Sequence, residues 1–293
     1  MSPRQPLAKY LALAALLLGG CAGVTTADTL ETPGPGGVVE RIPVSITRPS
    51  GDGPFPAVVI MHDCSGLGPY SSHAPERWAQ ELAGHGYVIV IPDSFITRGF
   101  PNGVCTDSSG ARAGVAPGRR AYDAYAALAH ARSLPYVDGR HVGLRGGSHG
   151  GSTTLATLVT PTTGSGFAAA VALYPACRGR LGGWNGVSGV YQPAAPLLIL
   201  AGALDDWTPA EPCRQMAEAS RAAGFPVAIK IYPGAHHSFD SANPVRFVAA
   251  RINVNAPGGR GATTGGNAEA WADSIREVVA FFGRHLAATA ETR

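Results

Sequence analysis

The sequence predicts an α/β fold in which helices flank a mostly parallel, doubly wound β-sheet. Three features predict it: short apolar runs recur along the chain, stretches with helical spacing separate them, and glycine-rich or polar segments follow several of the runs. Continuous apolar runs of this length are typical of strands that are buried on both faces of a parallel sheet. Their alternation with helices indicates a doubly wound sheet.

The strand predictions follow these runs in chain order. Residues 38–47 alternate in part between apolar and polar, which indicates one or two antiparallel strands at a sheet edge. The continuous runs predict the parallel strands, at residues 57–61, 87–91, 141–144, 167–173, 196–201 and 227–232.

The helix predictions occupy the stretches between these strands. They cover residues 73–85, 119–133, the segment after residue 148, 209–223 and 268–287. Residues 209–223 open with proline and an acid, as helices often do, and residues 268–287 carry an apolar stripe at helical spacing. Three long connections remain, at residues 94–118, 178–195 and 238–267, and long loops usually shape a site or are mobile.

The length of the chain is compatible with one large domain, and its charge bears on the expected partners. The chain has 293 residues and a formal charge of +3, without a block of basic residues, so nucleic acid is not an expected partner. We expect a signal peptide over residues 1–20, a Thr, Gly and Pro-rich tether over residues 21–37 and a single domain over residues 38–293.

The N-terminus has the features of a bacterial lipoprotein signal. Arg4 and Lys9 precede a short apolar run, which ends at Leu18-Gly19-Gly20-Cys21 and resembles a lipobox. Lipidation of Cys21 would anchor an exported protein at the periplasmic side of the cell envelope. The alternative is an ordinary secretory signal in which the cysteine is coincidental.

Four further cysteines follow, at positions 64, 105, 177 and 213. An even number in an exported chain permits disulfides, and the sequence leaves all three complete pairings open. Their spacing does not match a zinc site, so neither a metal nor another cofactor is expected. The sequence makes no prediction of oligomeric state.

A candidate nucleophile follows the predicted strand at residues 141–144. Gly146-x-Ser148-x-Gly150 matches the G-x-S-x-G elbow, in which a strained turn between a strand and a helix exposes the serine hydroxyl. A phosphate-binding loop would need a lysine that is absent here. The remaining alternative is a glycine-rich turn with a solvent-exposed serine.

A candidate acid and base follow the next strands in the order that this elbow requires. Asp205 comes after the strand at residues 196–201, and His237 after the strand at residues 227–232. The carboxyl ends of parallel strands lie at one edge of the sheet, where ligands bind. Their immediate neighbours Asp206 and His236 are the alternatives. If Asp205 is the acid, Asp206 should face solvent or brace the following helix.

From about residue 40 onward the sequence resembles the dienelactone hydrolase family of the α/β-hydrolase fold. The resemblance is carried by the elbow, by the GxxDxxxP segment that ends at Pro209, and by His237-Ser238-Phe239. It implies that Ser148, Asp205 and His237 form a catalytic triad. The segment after residue 61 is similar to the family's oxyanion loop, which implies oxyanion donors at the backbone N–H groups of Cys64 and His149.

The resemblance also suggests substrate contacts and has two exceptions. The family uses a cysteine nucleophile where this chain has Ser148, and the arginine expected just after His237 is missing. Arg98 is the candidate for a substrate-binding arginine, with loop bracing as its alternative. Asp63 matches an acidic residue beside the nucleophile or else caps its loop. Trp207 is the third candidate contact, with core packing as its alternative, and Phe239 and Tyr70 are likewise pocket or core residues.

These features together predict a hydrolase that cleaves a carboxylic ester or lactone through an acyl-enzyme, with a small-molecule substrate. A peptidase of the same fold is the alternative within enzymes. A binding protein with an idle triad is the alternative from another class, because fold alone does not fix function.

Overall fold

A computed structural model describes residues 24–160, 162, 164–177 and 190–287. The predicted signal peptide and Cys21 lie outside the described residues, as does most of the connection predicted at residues 178–195. Among the described residues, no helix is both long enough and apolar enough to cross a bilayer.

An eight-stranded sheet forms the centre of the fold, in the order β1-β2-β4-β3-β5-β6-β7-β8. Neighbours from β4 to β8 run parallel, and β1 and β2 add an antiparallel edge. The strands are β1 (Val24–Pro33), β2 (Val39–Arg48), β3 (Phe55–Met61), β4 (Val88–Pro92), β5 (Val137–Gly147), β6 (Ala169–Leu173), β7 (Leu197–Gly202) and β8 (Val227–Tyr232).

Within the described ranges, five α-helices cover the two faces of this sheet. They are α1 (Ala74–Gly84), α2 (Pro117–Ser133), α3 (His149–Val159), α4 (Ala210–Ala222) and α5 (Ala268–Leu286). Successive residues of a strand point to opposite faces. On β3, Val59 packs in the core layer that contains α2, α3 and α4, whereas Val58 packs in the layer that contains α1 and α5. The predicted fold class, an α/β-hydrolase fold with a mostly parallel sheet, is confirmed.

The tether predicted over residues 21–37 is wrong for most of its length. Val24–Pro33 forms β1, which pairs with β2 in an unbroken antiparallel register from Val24 opposite Arg48 to Pro33 opposite Val39. Leu30 is buried against the core, and the Thr32 hydroxyl donates to Asp123 Oδ1 of α2 at 2.9 Å. The threonines of this segment favour extended backbone, and the free edge of β2 supplies its hydrogen-bond partners.

The connection predicted at residues 238–267 also contains regular structure. β9 (Arg246–Ile252) and β10 (Arg260–Thr264) form an antiparallel two-stranded sheet with a register shift between Arg260 and Ala262. Most of β9 is exposed, so its sequence lacks the apolar run of a buried strand. This hairpin lies outside the central sheet and reaches His237 through a single bridge to Thr264.

Candidate active site

Ser148 occupies the sharp turn between β5 and α3. Its backbone has φ 54° and ψ −116°, a strained conformation for a residue other than glycine. A β-carbon at Gly146 would collide with the carbonyl oxygen of Gly150, and one at Gly150 would collide with that of Met61. The two glycines therefore permit the close approach of strand and helix that presents the serine at the sheet edge.

Ser148, His237 and Asp205 form one hydrogen-bonded chain. His237 Nε2 lies 2.8 Å from Ser148 Oγ, and His237 Nδ1 lies 2.8 Å from Asp205 Oδ2. All three side chains are buried. The backbone N–H groups of Trp207 and Thr208 donate to Asp205 Oδ1 at 2.9 and 2.8 Å, which fixes the carboxylate. This arrangement holds the imidazole with its proton on Nδ1 and leaves Nε2 free to accept a proton from the serine.

The neighbouring aspartate and histidine face other partners. Asp206 accepts hydrogen bonds from the backbone N–H and the hydroxyl of Thr263, both at 2.8 Å. Asp206 is exposed, which agrees with the first of its two expected placements, and it braces β10 instead of α4. His236 Nδ1 lies 2.9 Å from the Leu204 carbonyl oxygen.

The sequence did not indicate the side chains that position the imidazole. His237 lies between the rings of Tyr174 and Trp207, each with its centroid 4.7 Å away. The Thr208 hydroxyl lies 3.0 Å from Asp205 Oδ2 and 2.9 Å from the Tyr174 carbonyl oxygen. Tyr174 follows β6 at the same edge of the sheet, and that placement is the signal that could have identified it.

A buried ion pair between Asp240 and Arg145 fixes the Tyr174 side chain. Asp240 accepts hydrogen bonds from Tyr174 Oη at 2.5 Å, Arg145 Nη2 at 2.6 Å and Trp78 Nε1 at 2.8 Å. Burial and the Asp240 charge raise the pKa of the Tyr174 phenol well above its usual value. Tyr174 therefore stays neutral and acts as a hydrogen-bond donor that fixes its ring against the imidazole.

The loop after β3 places Cys64, the first of the two predicted oxyanion donors, near the nucleophile. Cys64 and His149 lie with Ser148 in the lining of one pocket. Asp63 accepts hydrogen bonds from Ser65 N at 2.7 Å, from Ser65 Oγ at 2.5 Å and from the Ser72 hydroxyl. Of its two interpretations the structure favours the loop cap, so Asp63 is not placed as a substrate contact.

Arg98 is also placed away from the pocket. Its guanidinium pairs with Glu40 at 2.6 Å and with Asp123 at 2.6 and 2.8 Å, and it donates to the Ser94 carbonyl oxygen at 2.9 Å. These acids from β2 and α2 neutralise the arginine within the fold. The substrate-binding role expected for Arg98 is therefore wrong, and the loop-bracing alternative describes its contacts.

The pocket above Ser148 has a volume of about 310 Å³ and largely apolar walls. Trp207 lies in the wall, where its indole N–H donates to the Ile252 carbonyl oxygen at 2.7 Å. Phe239 is fully buried in the core, and Tyr70 is 77% exposed. The lining is formed by Cys64, Cys105, Arg112, Pro117, Ser148, His149, Ser152, Ala176, Cys177, Trp207, Thr208, Pro209, Pro212, Ile252, Val254 and Asn255.

Two disulfides border this pocket. Cys64 is bonded to Cys105, and Cys177 is bonded to Cys213, which selects one of the three pairings that the sequence left open. Three of the four cysteines line the pocket. The disulfides therefore cross-link the walls of the site as well as the fold.

A nucleophile elbow after β5, an acid after β7 and a histidine after β8 define an α/β-hydrolase. Residues 42–286 match the sequence profile of the dienelactone hydrolase family. The chain belongs to this family of hydrolases.

Comparisons with individual proteins give a 30% identical relative and two solved structures of the same fold. The chain is 30% identical over 217 residues to a protein of Escherichia coli O157:H7 provisionally named carboxymethylenebutenolidase, covering 69% of this chain and 74% of that one. Esterase 2 of Thermogutta terrifontis, solved after phosphorylation by paraoxon, is 20% identical over 90% of this chain and 96% of that chain, with a TM-score of 0.60. Dipeptidyl peptidase 4 of Porphyromonas gingivalis is 20% identical over 90% of this chain and 36% of that chain, with a TM-score of 0.60. The two solved structures share the fold with this chain.

Proposed function

We propose that this protein hydrolyses a carboxylic ester or lactone through an acyl-enzyme on Ser148. The observation that carries the proposal is the continuous hydrogen-bonded chain from Ser148 through His237 to Asp205, at the base of a pocket. A serine is a weak nucleophile unless a positioned base takes its proton, and this chain supplies the base and the group that orients it.

The mechanism follows from these contacts. As Ser148 Oγ attacks the ester carbonyl, His237 Nε2 takes the hydroxyl proton, and Asp205 stabilises the resulting imidazolium. The N–H groups of Cys64 and His149 donate to the tetrahedral oxyanion. Collapse of this intermediate expels the alcohol, which receives the proton from His237. A water then attacks the acyl-enzyme by the same steps and releases the acid.

The pocket favours an ester with an apolar group. Pro117, Pro209, Pro212, Ile252 and Trp207 give its wall an apolar surface, and burial of apolar substrate surface there contributes about 25 cal/mol per Å². A panel of esters with increasing acyl length, compared with peptide amides, measures this preference. Higher kcat/KM for peptide amides than for every ester would favour the peptidase alternative.

The decisive test is the Ser148→Ala variant. Because the hydroxyl is the attacking group, the variant should keep the fold and lose at least about a thousandfold in kcat, as triad knockouts do. A fluorophosphonate probe should label the wild type and leave Ser148→Ala unlabelled. A wild type that is neither labelled nor active on esters would support the idle binding protein. Activity that survives in folded Ser148→Ala would move the nucleophile elsewhere.

We also propose that Cys21 carries a lipid and anchors the domain at the periplasmic side of the cell envelope. Leu18-Gly19-Gly20-Cys21 after the apolar run supports this proposal. Only two residues separate Cys21 from the start of β1 at Val24, a reach of about 11 Å at full extension, so the domain would lie close to the bilayer. Mass spectrometry of the mature N-terminus tests it, because an unmodified Cys21 would contradict lipidation.

A further inference from the structure

Arg120 is a fully buried arginine beneath the candidate oxyanion hole. Its Nη2 donates to the His62 carbonyl oxygen at 2.9 Å, and its Nη1 lies 2.8 Å from His149 Nδ1. Its guanidinium carbon lies over the Phe95 ring, 4.8 Å from the ring centroid. In the part of the chain that the structure describes, no carboxylate oxygen lies within 4.0 Å of this guanidinium. The residue is thus held by a carbonyl oxygen, a ring nitrogen and an aromatic face.

The two hydrogen-bond partners belong to the two halves of the oxyanion hole. His62 begins the loop after β3 and precedes the donor Cys64 by two residues. His149 follows the nucleophile and is itself the second donor through its backbone N–H. These two segments come from different strands, and one side chain of α2 joins them.

The protonation states in this cluster follow from the hydrogen bonds. An arginine only donates, so His149 Nδ1 accepts from it and the ring proton lies on Nε2. His62 donates from Nδ1 to the Asp63 carbonyl oxygen at 2.9 Å and accepts at Nε2 from Ser94 N at 3.2 Å. Burial and the Arg120 charge hold the pKa of both histidines well below 6.5, so both rings are neutral.

The guanidinium is therefore the cation of this cluster, and the charges of Asp123, Asp63 and Asp93 act on it without a direct ion pair. Burial lowers the pKa of Arg120 to about 10, which leaves it protonated at neutral pH. Burying a cation without a hydrogen-bonded carboxylate is unfavourable, and apolar side chains often replace buried ionic groups without loss of stability. Packing alone does not need the charge, whereas the His62 carbonyl oxygen and His149 Nδ1 need a donor.

We propose that Arg120 is a positioning residue of the oxyanion hole, which holds the Cys64 and His149 amides in converging directions and places a fixed positive charge behind the developing oxyanion. This inference rests on the proposed ester hydrolysis. Arg120 acts through His62 and His149, without touching the substrate. Its contribution belongs to the transition state, because negative charge appears on the carbonyl oxygen only there.

The test compares Arg120→Met and Arg120→Lys with the control Arg132→Met. Arg132 lies on the same helix and donates to the carbonyl oxygens of Gly139, Ser165 and Gly166, away from the pocket. For one aryl ester, Arg120→Met should lower kcat by on the order of a hundredfold with KM changed less than about threefold. Arg120→Lys keeps the charge and loses the two-armed bridge, so it should lower kcat by roughly tenfold. Arg132→Met should keep the wild-type kcat.

A second measurement separates positioning from general loosening of the fold. An alkyl boronic acid forms an adduct with Ser148 whose tetrahedral centre carries negative charge. Its inhibition constant should rise across the Arg120 variants in proportion to the loss of kcat/KM, because both report stabilisation of the same charge. General loosening of the fold would raise KM for the substrate and the inhibition constant of the boronate by similar factors.

The outcomes distinguish the two proposals. Folded Arg120→Met with kcat and boronate affinity within threefold of the wild type would overturn the role of Arg120. If Arg120→Met does not fold, wild-type kcat and boronate affinity in Arg120→Lys would overturn the proposed bridge. A wild type that neither hydrolyses esters nor binds the boronate would overturn the proposed function itself.

Discussion

Asp205 and Asp206 are adjacent at the end of β7, yet their carboxylates have different partners. Asp205 is buried against His237 and receives two backbone N–H groups, whereas Asp206 turns to Thr263 of β10. The acid of a triad must fix the tautomer of its histidine, and of these two aspartates it is Asp205 that contacts His237 Nδ1. Side-chain direction at the level of single residues therefore separates a candidate catalytic group from a structural one.

The Asp205→Asn variant should lose about ten-thousandfold in kcat, because an amide supports the wrong tautomer of His237. Asp206→Asn is the matched control. It keeps one acceptor for Thr263, so it should retain nearly full activity and lose about 1 kcal/mol or less of stability. Both variants are measured on one ester and by urea unfolding. The reverse ranking of the two activities would assign the acid to Asp206.

The buried His62 makes the free energy of unfolding depend on pH in the acidic range. Its pKa is held well below 6.5 by burial and then by Arg120, although Asp93 lies 3.9 Å from Nε2. Above about pH 6.5 the ring is neutral in both the folded and the unfolded chain. Below that pH only the unfolded chain binds the proton, so the free energy of unfolding decreases as the pH falls towards the lowered pKa of the folded state.

The His62→Gln variant should therefore lose less stability than the wild type between pH 6.5 and pH 5. The difference in slope should be up to about 1.4 kcal/mol per pH unit, the value for one titrating group. Urea unfolding of both proteins across this range measures it. Between pH 7.5 and 8 the difference between the two proteins should be constant. Equal slopes below pH 6.5 would contradict a lowered pKa.

At the scale of elements, the β9–β10 hairpin is attached to the site by side-chain hydrogen bonds more than by a core. Asn253 is buried, and its amide donates to the carbonyl oxygens of Asp206 and Gly261 at 3.0 and 2.7 Å. Its Oδ1 accepts from Asn255 N at 2.9 Å. Because Ile252, Val254 and Asn255 line the pocket, this amide helps to hold one wall of the site, together with the Trp207 indole that donates to the Ile252 carbonyl oxygen.

Asn253→Ala should loosen that wall while the triad stays intact. Amide hydrogen exchange over residues 246–264 should become at least about tenfold faster, since each lost buried hydrogen bond contributes about 1 kcal/mol or more. KM for an apolar ester should rise several-fold with kcat within about twofold. The exposed Asn243→Ala is the control and should change neither quantity. Unchanged exchange in Asn253→Ala would show that other contacts hold the hairpin.

The sequence predicted the elements whose burial is uniform and missed those that depend on tertiary pairing. Strands such as β4, β6 and β7 are buried throughout, so their apolar runs predicted them directly. β1 and β9 are largely exposed, and their extended structure depends on a partner strand. The three side chains that chain order singled out, Ser148, Asp205 and His237, lie together in the structure, because strand ends share one edge of the sheet.

Individual charged residues were harder to predict than the triad. Arg98 matched a family position, but Glu40 and Asp123 come from distant parts of the chain and neutralise it. Arg120 lies in an ordinary helical stretch, and nothing local in the sequence shows that its guanidinium reaches His62 and His149. Such contacts depend on how helices pack on the sheet, which apolar periodicity does not specify.

At the scale of the whole molecule, two disulfides link the segments that surround the pocket. The Cys64–Cys105 bond joins the loop after β3 to the connection after β4, and the Cys177–Cys213 bond joins the segment after β6 to α4. The bonds close stretches of similar length, with sequence separations of 41 and 36 residues. Chain entropy therefore gives them similar stabilising effects, about 2 to 4 kcal/mol each.

Their effects on catalysis should differ, because only one of the two bonds includes a residue of the proposed oxyanion hole. The double variant Cys64→Ala with Cys105→Ala frees the loop that carries the Cys64 N–H, so it should lose stability and also lower kcat by roughly tenfold or more. Cys177→Ala with Cys213→Ala should lose comparable stability with kcat within about threefold, since its bond constrains only a pocket wall. Urea unfolding and ester kinetics on both double variants, after peptide mapping of the wild-type pairing, measure these effects. An equal loss of kcat in the two would mean that the disulfides act through overall rigidity, and full kcat in the first would remove the Cys64 loop from the oxyanion hole.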